Sequence, residues 1–184
     1  MSSPFQYREA VRRLRAGAVV AHPTEAVYGL ACNPVDLDAV TRLLALKGRP
    51  AAKGFILIAD HFDALLPFVA WSESALPETV RRSWPGPHTW LLPAAPGVPP
   101  WLTGDRPTLA VRITAHPVAA ELCRRFGGPL VSTSANLSGR PPARTPLQVL
   151  ERCPGVDFLL HGATGGLDRP TPIRDARTGR LVRP

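Results

Sequence analysis

Apolar positions along the chain fall into two rhythms. In residues 6–16, Tyr7, Val11 and Leu14 share one stripe and Gly17 follows, which predicts an opening helix. Residues 36–47 repeat the pattern. Leu37, Val40, Leu43 and Leu44 mark a core face, Asp36 is placed to cap the helix, and Gly48 and Pro50 to stop it. Residues 116–128, ending in a glycine pair, and 145–153 read as further helices. Between them lie short apolar runs at 18–22, 55–59, 88–94, 108–114, 129–135 and 157–161, which read as strands. The run at 55–59 (FILIA) is continuous enough for a strand covered on both faces. Segments 61–69 and 74–84 read as short helices interrupted by prolines, and 171–183 as a hairpin turning at Thr178-Gly179. The proline-rich stretch 93–107 holds Trp101 and Leu102, and so reads as an ordered surface lobe rather than a linker. Helices alternating with buried strands predict an α/β (α+β) fold with a mixed sheet, in a single domain over residues 1–184.

Composition narrows the function. The 184 residues carry 22 Lys+Arg against 14 Asp+Glu, a net charge of +8. That balance favours a polyanionic partner such as a nucleotide or nucleic acid, although solubility alone is also served by it. Apart from Lys47 and Lys53, every basic residue is an arginine. No apolar run approaches the roughly 18 residues of a membrane span, and the N-terminal segment lacks the apolar centre of a secretory signal. Cys32, Cys123 and Cys153 form no CxxC and have no zinc-ligand spacing, so three reduced thiols in a cytoplasmic protein, with no protein-held metal, are expected.

Four stretches carry candidate chemistry. Lys47-Gly48-Arg49-Pro50-Ala51-Ala52-Lys53-Gly54 places three cations at a helix end, with glycines that let backbone approach a ligand. It reads as a phosphate site or as a solvated helix end. Ser132-Thr133-Ser134-Ala135-Asn136-Leu137-Ser138-Gly139 follows an apolar strand and collects hydroxyls and an amide where open sheets bind ligands. An ordinary turn uses the same residues. A nucleophilic serine is disfavoured, because neither G-x-S-x-G nor S-x-x-K surrounds them. Pro23-Thr24-Glu25-Ala26-Val27-Tyr28-Gly29-Leu30 follows another strand with hydroxyls and a carboxylate. Arg112, inside an apolar strand, lies on a solvated face or else points inward and needs an anion. The P-loop and G-x-G-x-x-G patterns are absent.

Taken together, PTEAVYGL, LKGRPAAKG, WPGPHTWLLPA, AVRITAHP, LVSTSANLSGRPP and PIRDARTGRLVR resemble, in order and spacing, the YrdC/TsaC family of threonylcarbamoyl-AMP synthases, from about Ala18 to Arg183. The chain is similar to the short, stand-alone bacterial form. The resemblance implies a YrdC-like twisted, open mixed β-sheet with flanking helices and a concave basic face. It implies condensation of L-threonine, bicarbonate and ATP to L-threonylcarbamoyladenylate plus pyrophosphate. ATP is the substrate there, with Mg²⁺ held by the nucleotide. A threonylcarbamoyl-transferase complex downstream modifies the adenosine next to the anticodon. The family's tetrad falls on Lys47, Arg49, Ser134 and Asn136 as catalytic residues. Nucleotide contacts are implied for Lys47, Arg49, Lys53, Asn136, Arg144 and Arg183, and threonine contacts for Thr24, Arg112, Ser132, Ser134 and Thr171. Ala26 and Ile58 stand where longer members have a threonine-contacting hydroxyl residue and a histidine, so a differently built amino-acid pocket is expected. Arg140, Arg144, Arg169 and Arg174 leave tRNA as a candidate direct partner. Two alternatives remain at this stage: a non-enzymatic RNA-binding module, and a relative that forms a carbamoyl-adenylate.

Overall fold

The structure, a computed structural model, describes residues 2–183. The first helix, α1 (Pro4–Arg15), starts two residues earlier than the apolar stripe suggests. The cause is a capping box: the Ser3 hydroxyl accepts from the Gln6 N–H at 3.3 Å, and the Gln6 carboxamide accepts from the Ser3 N–H at 2.8 Å. The strands β1 (Val20–Pro23) and β2 (Tyr28–Cys32) follow as a hairpin. β2 lies where the sequence analysis placed no strand: Gly29 and Ala31 weaken its strand signature, although all five residues are buried. Then come α2 (Leu37–Lys47), capped by Asp36 and ended at Gly48 as expected, and β3 (Ile56–Ala59). The proline-broken stretches form single 3₁₀ turns at Asp63–Leu65 and Glu73–Ala75, and a short α3 (Glu78–Arg82).

The second half contains β4 (Thr89–Pro93), α4 (Pro100–Thr103), β5 (Thr108–Ile113), α5 (Pro117–Phe126) and β6 (Leu130–Ser134). It ends with α6 (Pro146–Arg152), β7 (Phe158–Leu159), β8 (Ile173–Asp175) and β9 (Leu181–Arg183). The proline-rich stretch is the ordered lobe that Trp101 and Leu102 implied: α4 buries Leu102 in the core, and the Trp101 indole donates to the Pro34 carbonyl at 3.1 Å.

Nine strands form one mixed sheet in the order β7-β1-β2-β6-β3-β5-β4-β8-β9. Pairings β1–β7, β3–β5 and β4–β8 are parallel and the others antiparallel. Side chains alternate across each strand, so the sheet sorts its own residues into two layers. On one face, Ala21, Leu30, Leu57 and Val131 join Ala39, Val40 and Leu43 of α2. On the other, Val20, Ala31, Ile58 and Leu130 join Val11 and Leu14 of α1 and Ala119 and Leu122 of α5. Leu14, Leu43 and Leu122 are fully buried, so truncating any one to Ala costs about 2–5 kcal/mol. The helices α1 and α5 cover only part of their face. Its remainder is open, and that is where the site lies.

Candidate functional site

The floor of the open region follows from strand register. Gly29 pairs with Ser134, Ser132 with Ile56, Ile56 with Ala110, and Ala110 with Leu91. Directly opposed residues share a face, so these side chains belong to the α1/α5 side of the sheet, beyond the reach of those helices. They line a cavity of about 860 Å³. Its walls come from three connections. Thr24, Ala26 and Val27 come from the β1–β2 turn, Arg49, Lys53 and Gly54 from the segment after α2, and Thr103 and Arg106 from the segment around the end of α4. Thr171, Val182 and Arg183 close it from the C-terminal side.

Charge in this cleft has one sign. Arg49, Lys53, Arg106, Arg112 and Arg183 line it, and no Asp or Glu does. Burial, with Arg183 and Arg106 nearby, pulls the Arg49 pKa below its usual value. Burial and the Arg112 charge do the same to Arg183. Arg49 donates to the Gly54 carbonyl at 2.8 Å and lies over the Phe55 ring, while its buried Nε has no partner. Cations gathered in one cleft favour an anion between them.

Arg112 has the inward orientation considered from sequence, and part of the anion it needs is supplied by the chain. The carboxylate of Glu25 lies 3.5 Å from its Nη2, and Nη1 donates to the Thr171 hydroxyl at 2.8 Å. Glu25 is itself buried and accepts from the Thr114 hydroxyl at 2.6 Å. Burial pushes its pKa up, but the Arg112 charge and the Thr114 hydrogen bond outweigh that and hold it below the usual carboxylate value. Residues 162–167 cover it: Gly165 N–H donates to the Thr24 carbonyl, Leu167 N–H to the Glu25 carbonyl, and the Tyr28 hydroxyl to the Gly162 carbonyl. Close approach is required here, since a Cβ on Gly165 would meet the Glu25 backbone at 2.9 Å. His22 and His116 flank this pair and are held neutral by burial, with the His22 pKa lowered to about 4. Sequence reasoning noted Glu25 as a carboxylate without giving it a partner. The partner lies on a strand more than eighty residues away, beyond any local signal.

The four tetrad residues occupy two layers. Arg49 and Ser134 face the cavity. Lys47 and Asn136 lie behind its wall, and the Lys47 ammonium, 2% exposed, donates to Ser134 O at 2.5 Å, Asn136 O at 2.8 Å and Asn136 Oδ1 at 3.3 Å. Those three acceptors match its three protons. The Asn136 amide is equally occupied: Oδ1 also accepts from the Ser134 hydroxyl at 2.5 Å, and Nδ2 donates to Leu137 O and Arg140 O. The Ser138 N–H returns to the Lys47 carbonyl at 2.9 Å. Burial lowers the Lys47 pKa to about 8, which leaves it charged at neutral pH. Together these contacts hold the end of β6 in place, with Ser134 turned to the cleft.

Of the other expected site residues, Lys53, Arg112, Arg183, Thr24, Ser132 and Thr171 line the cavity. The Thr24 hydroxyl donates to the Val27 carbonyl at 2.7 Å and so shapes the turn as well. Arg144 is exposed and outside the cavity lining, and its guanidinium is spent on the carbonyls of Leu167 and Asp168. Ala26 lines the cleft, whereas Ile58 lies in the core beneath α1 and α5, so the two departures bear on the pocket unequally. Arg106 and Thr108 line it without having been anticipated. The signal for Arg106 was present: it follows an apolar anchor, Trp101-Leu102, that marked its loop as ordered.

An open mixed sheet carrying a cavity of about 860 Å³ lined by five cations and a set of hydroxyls defines an α/β protein with an anion-binding cleft. The family model Sua5/YciO/YrdC, described as "Telomere recombination", matches residues 12–184, and the chain belongs to that family. A threonylcarbamoyl-AMP synthase of Halorhodospira halophila is 56% identical over 182 residues, covering 98% of this chain and 95% of the relative. One of Methylococcus capsulatus is 54% identical over 183 residues, covering 98% of each. Among solved structures, that of P. abyssi Sua5 complexed with L-threonine superimposes with a TM-score of 0.91 at 32% identity. It covers 99% of this chain, which spans 54% of the Sua5 chain.

Proposed function

We infer that this chain catalyses formation of L-threonylcarbamoyl-AMP from L-threonine, bicarbonate and ATP, with release of pyrophosphate. The observation that carries the reading is the cleft with five cations and no carboxylate, on a chain more than half identical to threonylcarbamoyl-AMP synthases along nearly its whole length. In this reaction the threonine amine adds to CO₂ derived from bicarbonate, giving a carbamate. A carbamate oxygen then bonds to the α-phosphorus of ATP as the bond to the bridging oxygen breaks, and the electron pair leaves with pyrophosphate. Such transfers ask a protein for alignment and charge stabilisation rather than for a nucleophile. That suits a cleft of arginines and hydroxyls.

The residues divide accordingly. Arg112, held from behind by Glu25 and Thr171, with Thr24 and Ser132 beside it, forms the threonine end of the cleft. Arg49, Lys53 and Arg183 meet the phosphates. Ser134 stands between the two ends, aimed by Lys47 and Asn136 from beneath. The cleft offers Mg²⁺ no carboxylate, and no group of three His, Cys, Asp or Glu suited to a metal occurs among the described residues. A magnesium ion would arrive on the nucleotide, and no residue of this chain is assigned to it. No helix among the described residues is long and apolar enough to cross a membrane. Transfer of the product to tRNA by a separate complex completes the role.

The test is pyrophosphate release by purified protein with ATP. We expect release to need both threonine and bicarbonate. Release that ignores threonine, or that appears only when carbamoyl phosphate replaces threonine and bicarbonate, would overturn the reading.

A further inference from the structure

Arg106 is the one cation in the cleft that belongs to no recognised motif. Its loop and the Arg49–Lys53 loop are locked into one body. A Cβ on Gly54 would meet Leu102 O at 2.8 Å and Thr103 O at 2.9 Å, and one on Gly104 would meet Ala52 O at 2.3 Å. Gly104 also has φ +63°, a conformation that glycine adopts without strain. The Phe55 N–H donates to the Leu102 carbonyl at 2.9 Å, stitching the two segments together. Arg106 reaches over this seam. Its Nη1 and Nη2 make only long contacts, 3.3 Å each, to the carbonyls of Lys53 and Ala52. The guanidinium is exposed, lines the cavity and is close enough to Arg49 to depress its pKa.

Arg183 feels Arg112, while Arg49 feels both Arg183 and Arg106. Arg112 is buried on β5, whereas Arg106 is exposed on the loop after α4, so the two stand at the inner and outer parts of the same lining. Gathered positive charge suits a polyphosphate, and planar guanidinium forks suit its oxygens. With the amino acid at the buried Arg112, the exposed Arg106 is left to the polyphosphate.

We propose that Arg106 is a phosphate-binding residue that holds the terminal phosphates of ATP and stabilises the departing pyrophosphate. This rests on the ATP reading above. As the bond from the α-phosphorus to the bridging oxygen breaks, negative charge grows on that oxygen, and Arg106 meets it without any proton transfer. The residue thus acts on the leaving group, whereas Arg112 acts on the amino acid.

The experiment is titration calorimetry with inorganic pyrophosphate and with ATP, alongside steady-state kinetics, on wild type, Arg106→Ala, Arg106→Gln and Arg106→Lys. Pyrophosphate affinity should fall about tenfold in the Ala and Gln variants, the usual scale for one charge-assisted contact, and recover in part with Lys. KM for ATP should rise to match, with KM for threonine unchanged. Gln keeps a donor for the Ala52 and Lys53 carbonyls. Wild-type pyrophosphate affinity in Arg106→Gln would therefore mean that Arg106 only ties the loops together, and would overturn the proposal. An equal rise in KM for threonine would overturn it as well. Failure of the wild type to bind ATP or pyrophosphate sinks the ATP reading itself. Binding by wild type with no change in any variant sinks only the role of Arg106. Arg106 is exposed, so thermal unfolding of all four proteins should coincide within a few degrees.

Discussion

Replacing Lys47 by Met keeps the stem and removes the ammonium. Three acceptors then lose their donor: Ser134 O, Asn136 O and Asn136 Oδ1, at 2.5, 2.8 and 3.3 Å. A buried acceptor left unpaired costs about 1–3 kcal/mol, so the two short contacts set the loss. Removing a charge that burial already disfavours returns part of it, as the Lys47 pKa of about 8 indicates. The net cost is about 2 kcal/mol, or about 6 °C in Tm for a chain of this size. Turnover should fall about 100-fold, the scale of a displacement of about 1 Å in a positioning group, because Ser134 loses its anchor. The pH dependence carries an independent signature. The folded pKa lies below the ordinary lysine value, so from about pH 8 upward the unfolded chain holds a proton that the folded chain releases. This group's contribution to stability therefore rises with pH in that window. Activity should fall in the same window, because the neutral amine has one donor fewer for its three acceptors. Turnover of the wild type should thus descend from about pH 8 without a matching loss of Tm from this residue, and Lys47→Met should lack that limb. Steady-state kinetics from pH 6.5 to 9.5 with parallel thermal melts reads both quantities. Wild-type turnover in Lys47→Met, or an unchanged limb near pH 8, would refute the reasoning. So would full multiplicative effects in the double variant with Ser134→Ala, since two residues acting through one loop should couple.

Glu25→Gln leaves Arg112 as a buried cation without its carboxylate, which should cost about 3 kcal/mol in chemical denaturation. It should also raise KM for threonine more than KM for ATP, and Glu25→Asp should restore part of that difference, whereas a purely structural defect would move both constants together. His22 has a folded pKa near 4, below its unfolded value, so the unfolded chain takes up a proton first as pH falls. Its contribution to stability should be lost progressively from about pH 6.5 to 4, by about 3 kcal/mol in all, and His22→Phe should flatten that part of the acid-unfolding curve. Gly104→Ala places a Cβ 2.3 Å from the Ala52 carbonyl at a positive φ. It should lower Tm and raise KM for ATP together, and an unchanged Tm would show that the two loops are not locked as described.

Local order was written into the chain wherever a short-range interaction decides it. The α2 cap at Asp36, its stop at Gly48 and the hairpin turn at Thr178-Gly179 rest on contacts within a few residues. The stretch around Trp101 and Leu102 announced its own order through a burial that its prolines only framed. β2 was missed because Gly29 and Ala31 weaken its strand signature, although all five of its residues are buried. The site divides the same way. The hydroxyl-rich end of β6 and the cationic segment after α2 were visible as motifs, and Ser132, Thr133, Ser134, Arg49 and Lys53 among them line the cleft.

What the sequence determined by itself is the chemical vocabulary: two lysines in one segment, hydroxyls after one strand, an arginine inside another, and an order of motifs specific enough to identify a family. What only the tertiary structure decided is which of these groups are free to meet a ligand. Lys47 and Asn136 read like ligand-binding residues, yet their hydrogen-bonding capacity is taken up within the wall. Arg112 reads like a lone cation, yet Glu25 stands behind it. Arg106 belongs to no motif, yet it lines the cleft. The reason is physical. Local hydrogen bonds and side-chain period act over a few residues, whereas the pairing of a buried charge depends on strands brought together by register from distant parts of the chain.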